Sequence, residues 1–281
     1  MLFKNKINLM TEQILNNLTL SSISIAALIY TVWIIHFLIR DSSIIDLIWG
    51  AGFGLVTIVL WWNIPVKTDY LHFLAIFPLV WVLRYTVFIF RRNFGNGEDD
   101  RYTKLRQNAK DINRSWVLHS FGVYTFQAVS MLIVSAPLII GFAAPKSVQI
   151  GLIPIIGALI WIVGFLFETI ADIQLNAFKE ANKNYSGDYE NKPLLTTGLW
   201  KYSRHPNYFG NACMWWGIAL IASVAPYGYI GFLGSAYMTY ALVNITGKAN
   251  NESKMIKRKA YREYIERTSG FVPMLSREVD N

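Results

Sequence analysis

Long apolar runs broken by short polar stretches dominate this chain. Seven runs reach the roughly 20 residues needed to cross a bilayer: Leu18–Ile39, Ile44–Trp62, Tyr70–Phe90, Trp116–Phe142, Gln149–Gln174, Asn207–Ala225 and Gly228–Gly247. The breaks Arg40–Ser43, Asn63–Asp69 and Ala143–Val148 leave room only for tight turns, so neighbouring helices pair as antiparallel hairpins. Pro226 with Gly228 marks another turn. The pattern predicts an all-α polytopic integral membrane protein of about seven transmembrane helices. It reads as one membrane domain over residues 1–281: a tail at 1–17, helices 1–3 with a long loop at 18–115, helices 4–7 at 116–247, and a tail at 248–281.

Composition agrees. Of 281 residues, 53% are hydrophobic and 16% charged, against roughly 25% charged in a soluble domain. No short apolar core with a small-residue cleavage site follows Lys4 and Lys6, so no cleaved signal peptide is expected. The single cysteine, Cys213, sits in an apolar run and excludes an intrachain disulfide. Four scattered histidines and one cysteine give no metal-ligand spacing, so no metal is expected.

The net charge of +8 is mainly a topology signal. Lys4, Lys6, Lys67 and Lys146 fall on one side of the spans and Arg84 within one. The remaining lysines and arginines border the opposite side, which predicts that side as cytoplasmic, with the N-terminus outside and the C-terminus inside. Basic residues that border spans, without a recognisable binding module, exclude a nucleic-acid partner. The expected partner is the lipid bilayer.

Chemistry is expected at the cytoplasmic mouth, where the long loops gather. Arg91–Tyr102 combines arginine forks suited to phosphate with Gly95 and Gly97, or is an ordinary solvated loop. Asp46, Arg84, Glu168 and Asp172 lie within apolar runs, where ionisable groups generally pair, line cavities or do chemistry. Glu168 and Asp172 are four apart on one helical face and repel unless a cation or donor intervenes. Asp46 has an alternative role as a helix N-terminal charge. His36, His72 and His119 read as packed residues. Positions 255, 256, 260, 261, 264 and 265 form an apolar stripe with a basic opposite face, as in an interfacial helix.

The densest polar cluster is Gly198-Leu199-Trp200-Lys201-Tyr202-Ser203-Arg204-His205-Pro206-Asn207-Tyr208-Phe209-Gly210, at the mouth of an apolar run. Interfacial anchoring needs its aromatic and basic residues but not its His-Pro-Asn or its flanking glycines. This segment resembles the signature of the steroid 5-alpha reductase-like membrane proteins, and in particular a bacterial branch long labelled a domain of unknown function. Supporting matches are Asp46–Gly50, Trp81–Arg84, Gly97–Asp99 with Arg101-Tyr102, Phe126-Gln127, Glu168 with Asp172 and Gln174, Glu252, Tyr261–Tyr264 and Phe271–Pro273.

The resemblance implies a seven-helix fold holding NADPH in a cytoplasm-facing cavity, in a bacterial inner membrane. The implied reaction is hydride transfer to a carbon–carbon double bond conjugated with a carbonyl in a lipid, steroid-like or isoprenoid-like. It assigns Arg84, Arg92, Asn93, Glu168, Asp172, Tyr202, Arg204, His205, Asn207 and Tyr208 to the cofactor. Asp46 falls where the steroid enzymes polarise the substrate carbonyl; where they carry a tyrosine, three residues before Arg84, this chain has Trp81, and Tyr85, one residue beyond Arg84, is the candidate to replace it. Asn211 replaces the glutamate that usually follows Asn-Tyr-Phe-Gly. Two other readings share the motif. One is an S-adenosylmethionine-dependent methyltransferase of the isoprenylcysteine carboxyl type, and the other is a non-catalytic protein that keeps the fold.

Overall fold

A computed structural model describes residues 2–93, 97–113, 115–245 and 247–277, with the side chains at 2–8, 93, 100, 250 and 254 outside the described set. Among the described residues it is helical, with no strand beyond one isolated bridge between Ser203 and Ser269. The helices are α1 (Leu2–Ile39), α2 (Ile44–Asn63), α3 (Asp69–Asn93), α4 (Asp100–Asp111), α5 (Trp116–Val134), α6 (Ala136–Gly141), α7 (Leu152–Ala181), α8 (Pro206–Ala222), α9 (Gly231–Tyr240), α10 (Lys248–Met255) and α11 (Lys259–Arg267). Five are long and apolar enough to cross a membrane, within Leu9–Ile39, Ile44–Asn63, Asp69–Arg92, Trp116–Val134 and Leu152–Ala181. The protein is a helical membrane protein.

The two remaining predicted runs are built as shorter pieces. Asn207–Ala225 becomes the 17-residue α8, and Gly228–Gly247 becomes the 10-residue α9 continued by a π-helical turn at Ala241–Ile245. Other boundaries also move. Residues predicted as an N-terminal tail extend α1 back to Leu2. The expected span Trp116–Phe142 stops at Val134, because Pro137 cannot donate to the helical ladder and the Ser135 hydroxyl bonds back to the Met131 carbonyl at 2.8 Å. The loop after α3 holds α4, started by Asp99, whose carboxylate accepts from the Arg101 amide at 2.9 Å. The single interfacial helix expected in the tail is two, α10 and α11, split at residues 256–258.

The chain divides into two compact units. The first comprises 1–155 and 218–234. Its core holds Ile25, Ile29, Phe53, Val56, Leu60, Leu74, Met131 and Leu138, all at or below 2% exposure. Buried polar groups find partners inside it: the Asn17 amide donates to the Ile139 carbonyl at 2.9 Å and the Trp33 indole to Ser120 at 3.1 Å. His36 is packed, 1% exposed, against the Tyr124 ring.

The second unit comprises 156–217 and 235–281. Its frame is a close antiparallel crossing of α7 and α8. A Cβ on Gly210 would stand 2.5 Å from the Gly164 carbonyl oxygen and 2.5 Å from the Glu168 amide nitrogen, and one on Gly217 would stand 2.6 Å from the Gly157 oxygen. Each helix thus offers two glycines seven residues apart, and backbone meets backbone. Small residues permit this in a membrane, where apolar side chains gain little from leaving lipid and close packing must hold helices together.

Gly210→Val should therefore lower the melting temperature of the detergent-solubilised protein strongly, since backbone atoms cannot yield, at a cost of about 1–3 kcal/mol or more. Gly122→Ala, where an added Cβ meets nothing within 4 Å, should leave it unchanged. Differential scanning fluorimetry of both variants checks the contrast.

Candidate functional site

The α7–α8 register continues from the glycines into polar residues. Glu168 and Asp172, one turn apart on α7 and 6% and 5% exposed, face Asn211 and Asn207, one turn apart on α8. The Asn207 carboxamide donates to Asp172 at 3.2 Å and the Asn211 carboxamide to Glu168 at 3.3 Å. The neutral donors opposite two like charges lessen the repulsion expected from sequence. A glutamate at 211 would set a third carboxylate against Glu168. The Asn211 Oδ1 is buried and accepts no hydrogen bond.

The loop leading into α8 is anchored on the same face of α7. Gly198 takes the left-handed conformation (φ +61°), and the Gln174 side chain occupies the space a Cβ would need. Gln174 accepts from the Leu199 amide at 3.0 Å, and the Trp200 indole donates to the Ala171 carbonyl at 3.2 Å. Trp200 and the residues around it then receive the tail.

Arg204 is the centre of that contact. It is 8% exposed; its Nε donates to Glu252 at 2.9 Å and one Nη to the Thr268 carbonyl at 2.6 Å. His205 reaches the same Glu252 oxygen at 3.1 Å and stacks on Tyr208, the rings parallel with centroids 5.3 Å apart. Asn251 donates to the Tyr208 hydroxyl at 2.9 Å, and the Tyr264 hydroxyl donates to the Trp200 carbonyl. Burial raises the Tyr261 and Tyr264 phenols, keeping both as donors. Burial opposes ionisation of Glu252, yet its bonds from His205 and Arg204 outweigh that and hold its carboxyl at about 2. Tyr202, by contrast, is 38% exposed.

In the first unit, Asp46 in the opening turn of α2 gathers a second polar group. Its oxygens accept from Arg101 at 2.5 Å and the Tyr102 hydroxyl at 2.8 Å, with Arg92 at 3.6 Å. Burial pushes Asp99 upward, but the Arg101 guanidinium and amide together bring it below the usual carboxylate range. Burial and the adjacent Asp46 charge raise Tyr102, so it stays a donor. Glu98 accepts from the Ser42 amide and Arg106, both at 2.8 Å, tying α4 to the start of α2. The Tyr85 hydroxyl donates to the Asp46 carbonyl at 2.9 Å. Arg92 and Arg101 remain 35% and 37% exposed in their side chains.

Of the residues singled out from sequence, Asp46, Tyr85 and Arg92 gather at the start of α2. Arg84 lies on α3, with its guanidinium over the Phe88 ring at 5.8 Å. Glu168, Asp172, Tyr202, Arg204, His205, Asn207 and Tyr208 share the second unit. The Asn93 side chain lies outside the described residues. Glu252, Arg101, Tyr102 and Asn211 carry more of these contacts than sequence reasoning assigned them. Their signal was present in the ordered matches at Glu98–Tyr102 and Glu252, but not the pairings.

These features define a helical membrane protein whose spans bury a ladder of paired carboxylates and carboxamides. The chain belongs to the family described as "Protein of unknown function (DUF1295)", which matches residues 32–268. An uncharacterized protein of Schizosaccharomyces pombe is 24% identical over 266 residues, covering 86% of this chain and 76% of that protein. No solved structure matches.

Glu252 supplies a direct test of the tail contact. Its carboxyl is depressed on folding, so its stabilisation is complete above the ordinary 4.5 and is lost as pH falls from there toward 2. That interval is worth roughly 3 kcal/mol. Melting temperature against pH should drop across it in the wild type, and Glu252→Gln should be less stable at neutral pH and flatter over the same range.

Proposed function

We propose that this protein is a membrane-embedded NADPH-dependent reductase of a carbon–carbon double bond conjugated to a carbonyl in a lipid. The observation that supports it most is the Asn211 Oδ1, an acceptor without a donor on a 94% buried residue beside Glu168. A buried acceptor left unpaired costs about 1–3 kcal/mol, and an amide N–H of the kind a nicotinamide carries removes that cost. Arg92, which the resemblance assigns to the cofactor, keeps a guanidinium 35% exposed, of a kind that suits a phosphate. The resemblance of Gly198–Gly210 to the steroid 5-alpha reductase-like signature points the same way.

The donor geometry redistributes roles within this reading. NADPH, when bound, would supply the hydride. Arg204 and His205 are engaged by Glu252 and the Thr268 carbonyl, so they hold the motif in shape, and Tyr202, 38% exposed, is left at its surface. Asp46 holds Arg101 and Tyr102, with Arg92 at 3.6 Å. For Tyr85 to give a proton to substrate it must release the Asp46 carbonyl. The mouth faces the cytoplasm, on the side bearing most of the lysines and arginines.

Thermal shift with NADPH, NADH and S-adenosylmethionine tests the reading. NADPH at 100 times its dissociation constant should stabilise by about 2.7 kcal/mol, and S-adenosylmethionine should do nothing. Asn211→Leu removes the Glu168 donor as well, so its unliganded melting temperature should fall, and it should bind NADPH about tenfold more weakly. A shift with S-adenosylmethionine alone makes the protein a methyltransferase. No shift with any of them leaves a fold without this chemistry.

A further inference from the structure

A shallow groove of about 350 Å³ in the second unit is lined by Phe167, Leu199, Tyr202, Pro273, Met274 and Leu275. It has three walls of different origin: α7, the loop before α8, and residues 269–275 of the tail. The tail is laid down deliberately. The Arg204 amide donates to the Ser269 carbonyl at 2.9 Å, the Ser203 hydroxyl to the Phe271 carbonyl at 2.7 Å, and the Met274 amide to the Tyr202 carbonyl at 3.0 Å. Phe209 packs edge-on against both Phe167 and Phe271, joining the α7 wall to the tail.

These bonds hold apolar side chains outward. Leu275 is 85% exposed, Met274 56% and Val272 48%, in a tail otherwise rich in charge. The Phe167 wall shows what lies there. Along the same membrane-spanning helix Leu159, Ile162, Val163, Leu166, Ile170 and Ile173 are all 43–62% exposed, a face that only lipid covers favourably. Val163, Phe167 and Ile170 share one side of α7, so the groove is continuous with that face. No charged residue lies between Ile156 and Phe167, and Glu168, the next residue, is turned away toward Asn211 on α8. The groove therefore opens onto the apolar face of the spanning helix.

We infer that this groove holds the acyl chain of a bilayer phospholipid against the tail. Its volume is at the low end of the roughly 300–1,000 Å³ of small-molecule sites, enough for part of one chain and too small and concave for a second copy, whose interface needs about 1,200 Å² or more. This groove shares Tyr202 with the reductase reading, and its test reads lipid adducts rather than cofactor binding.

The test uses the full chain in phosphatidylcholine–phosphatidylglycerol vesicles that contain a phospholipid with a diazirine near the carbonyl end of one acyl chain. Photolysis and peptide mass spectrometry should place lipid adducts on 199–202 and 272–275 as well as on α7. Leu275→Glu and Met274→Glu, at exposed positions, should cut the adducts there about tenfold with the melting temperature unchanged. The NADPH shift of these variants should equal that of the wild type, which keeps the two readings separable. Adducts confined to the spans overturn the inference, as do protein–protein crosslinks through 272–275 or labelling insensitive to the glutamates.

Discussion

Backbone contact between α7 and α8 governs the second half of this protein. Two glycines on each helix, seven residues apart, let the antiparallel pair approach until Gly164 and Gly210 touch through main-chain atoms. In lipid, apolar side chains give little preference for one register over another, whereas a steric fit between backbones gives a strong one. Once that register is set, Glu168 and Asp172 have no choice of neighbours. They meet Asn211 and Asn207, and two carboxylates that would repel across a solvent-exposed helix face become members of a hydrogen-bonded ladder.

The same logic, buried charge met by a specific donor, recurs at the tail. Glu252 serves Arg204 and His205 at once, and the carbonyls of Thr268 and Ile265 take the rest of the guanidinium. Breaking one member of such a group leaves the others buried and unpaired, which is why a single carboxylate ties α10 and the following strap to the loop before α8. In the first unit Asp46 has the corresponding role for Arg101, Arg92 and Tyr102. These clusters hold the fold: Arg204 and His205 are consumed at the tail and Arg101 is held between Asp46 and Asp99, while Tyr202 stays accessible.

That division bears on function. A family signature marks residues that matter without saying whether they touch a ligand or support those that do. Here the arginine and histidine of the Arg-His-Pro-Asn-Tyr core turn inward, and the unpaired acceptor sits on Asn211, at the position where the chain departs from the usual glutamate. An amide there both donates to Glu168 and offers an oxygen, which a carboxylate cannot do together.

Hydropathy by itself determined the class and five runs that form long spans, because lipid demands about 20 apolar residues and internally satisfied backbone; two further runs that it predicted as spans fold as shorter helices. The i,i+4 spacing of Glu168 and Asp172 and the density of Gly198–Gly210 also marked the polar centre. Helix ends were less legible. The break at Ser135, the helix α4 inside a charged loop and the split between α10 and α11 depend on local hydrogen bonds and packing that run-length does not encode. Pairings were not legible at all. That Arg204 meets Glu252, 48 residues away, and Asp46 meets Arg101, 55 away, follows from which helices pack and in what register, and only tertiary structure decides that.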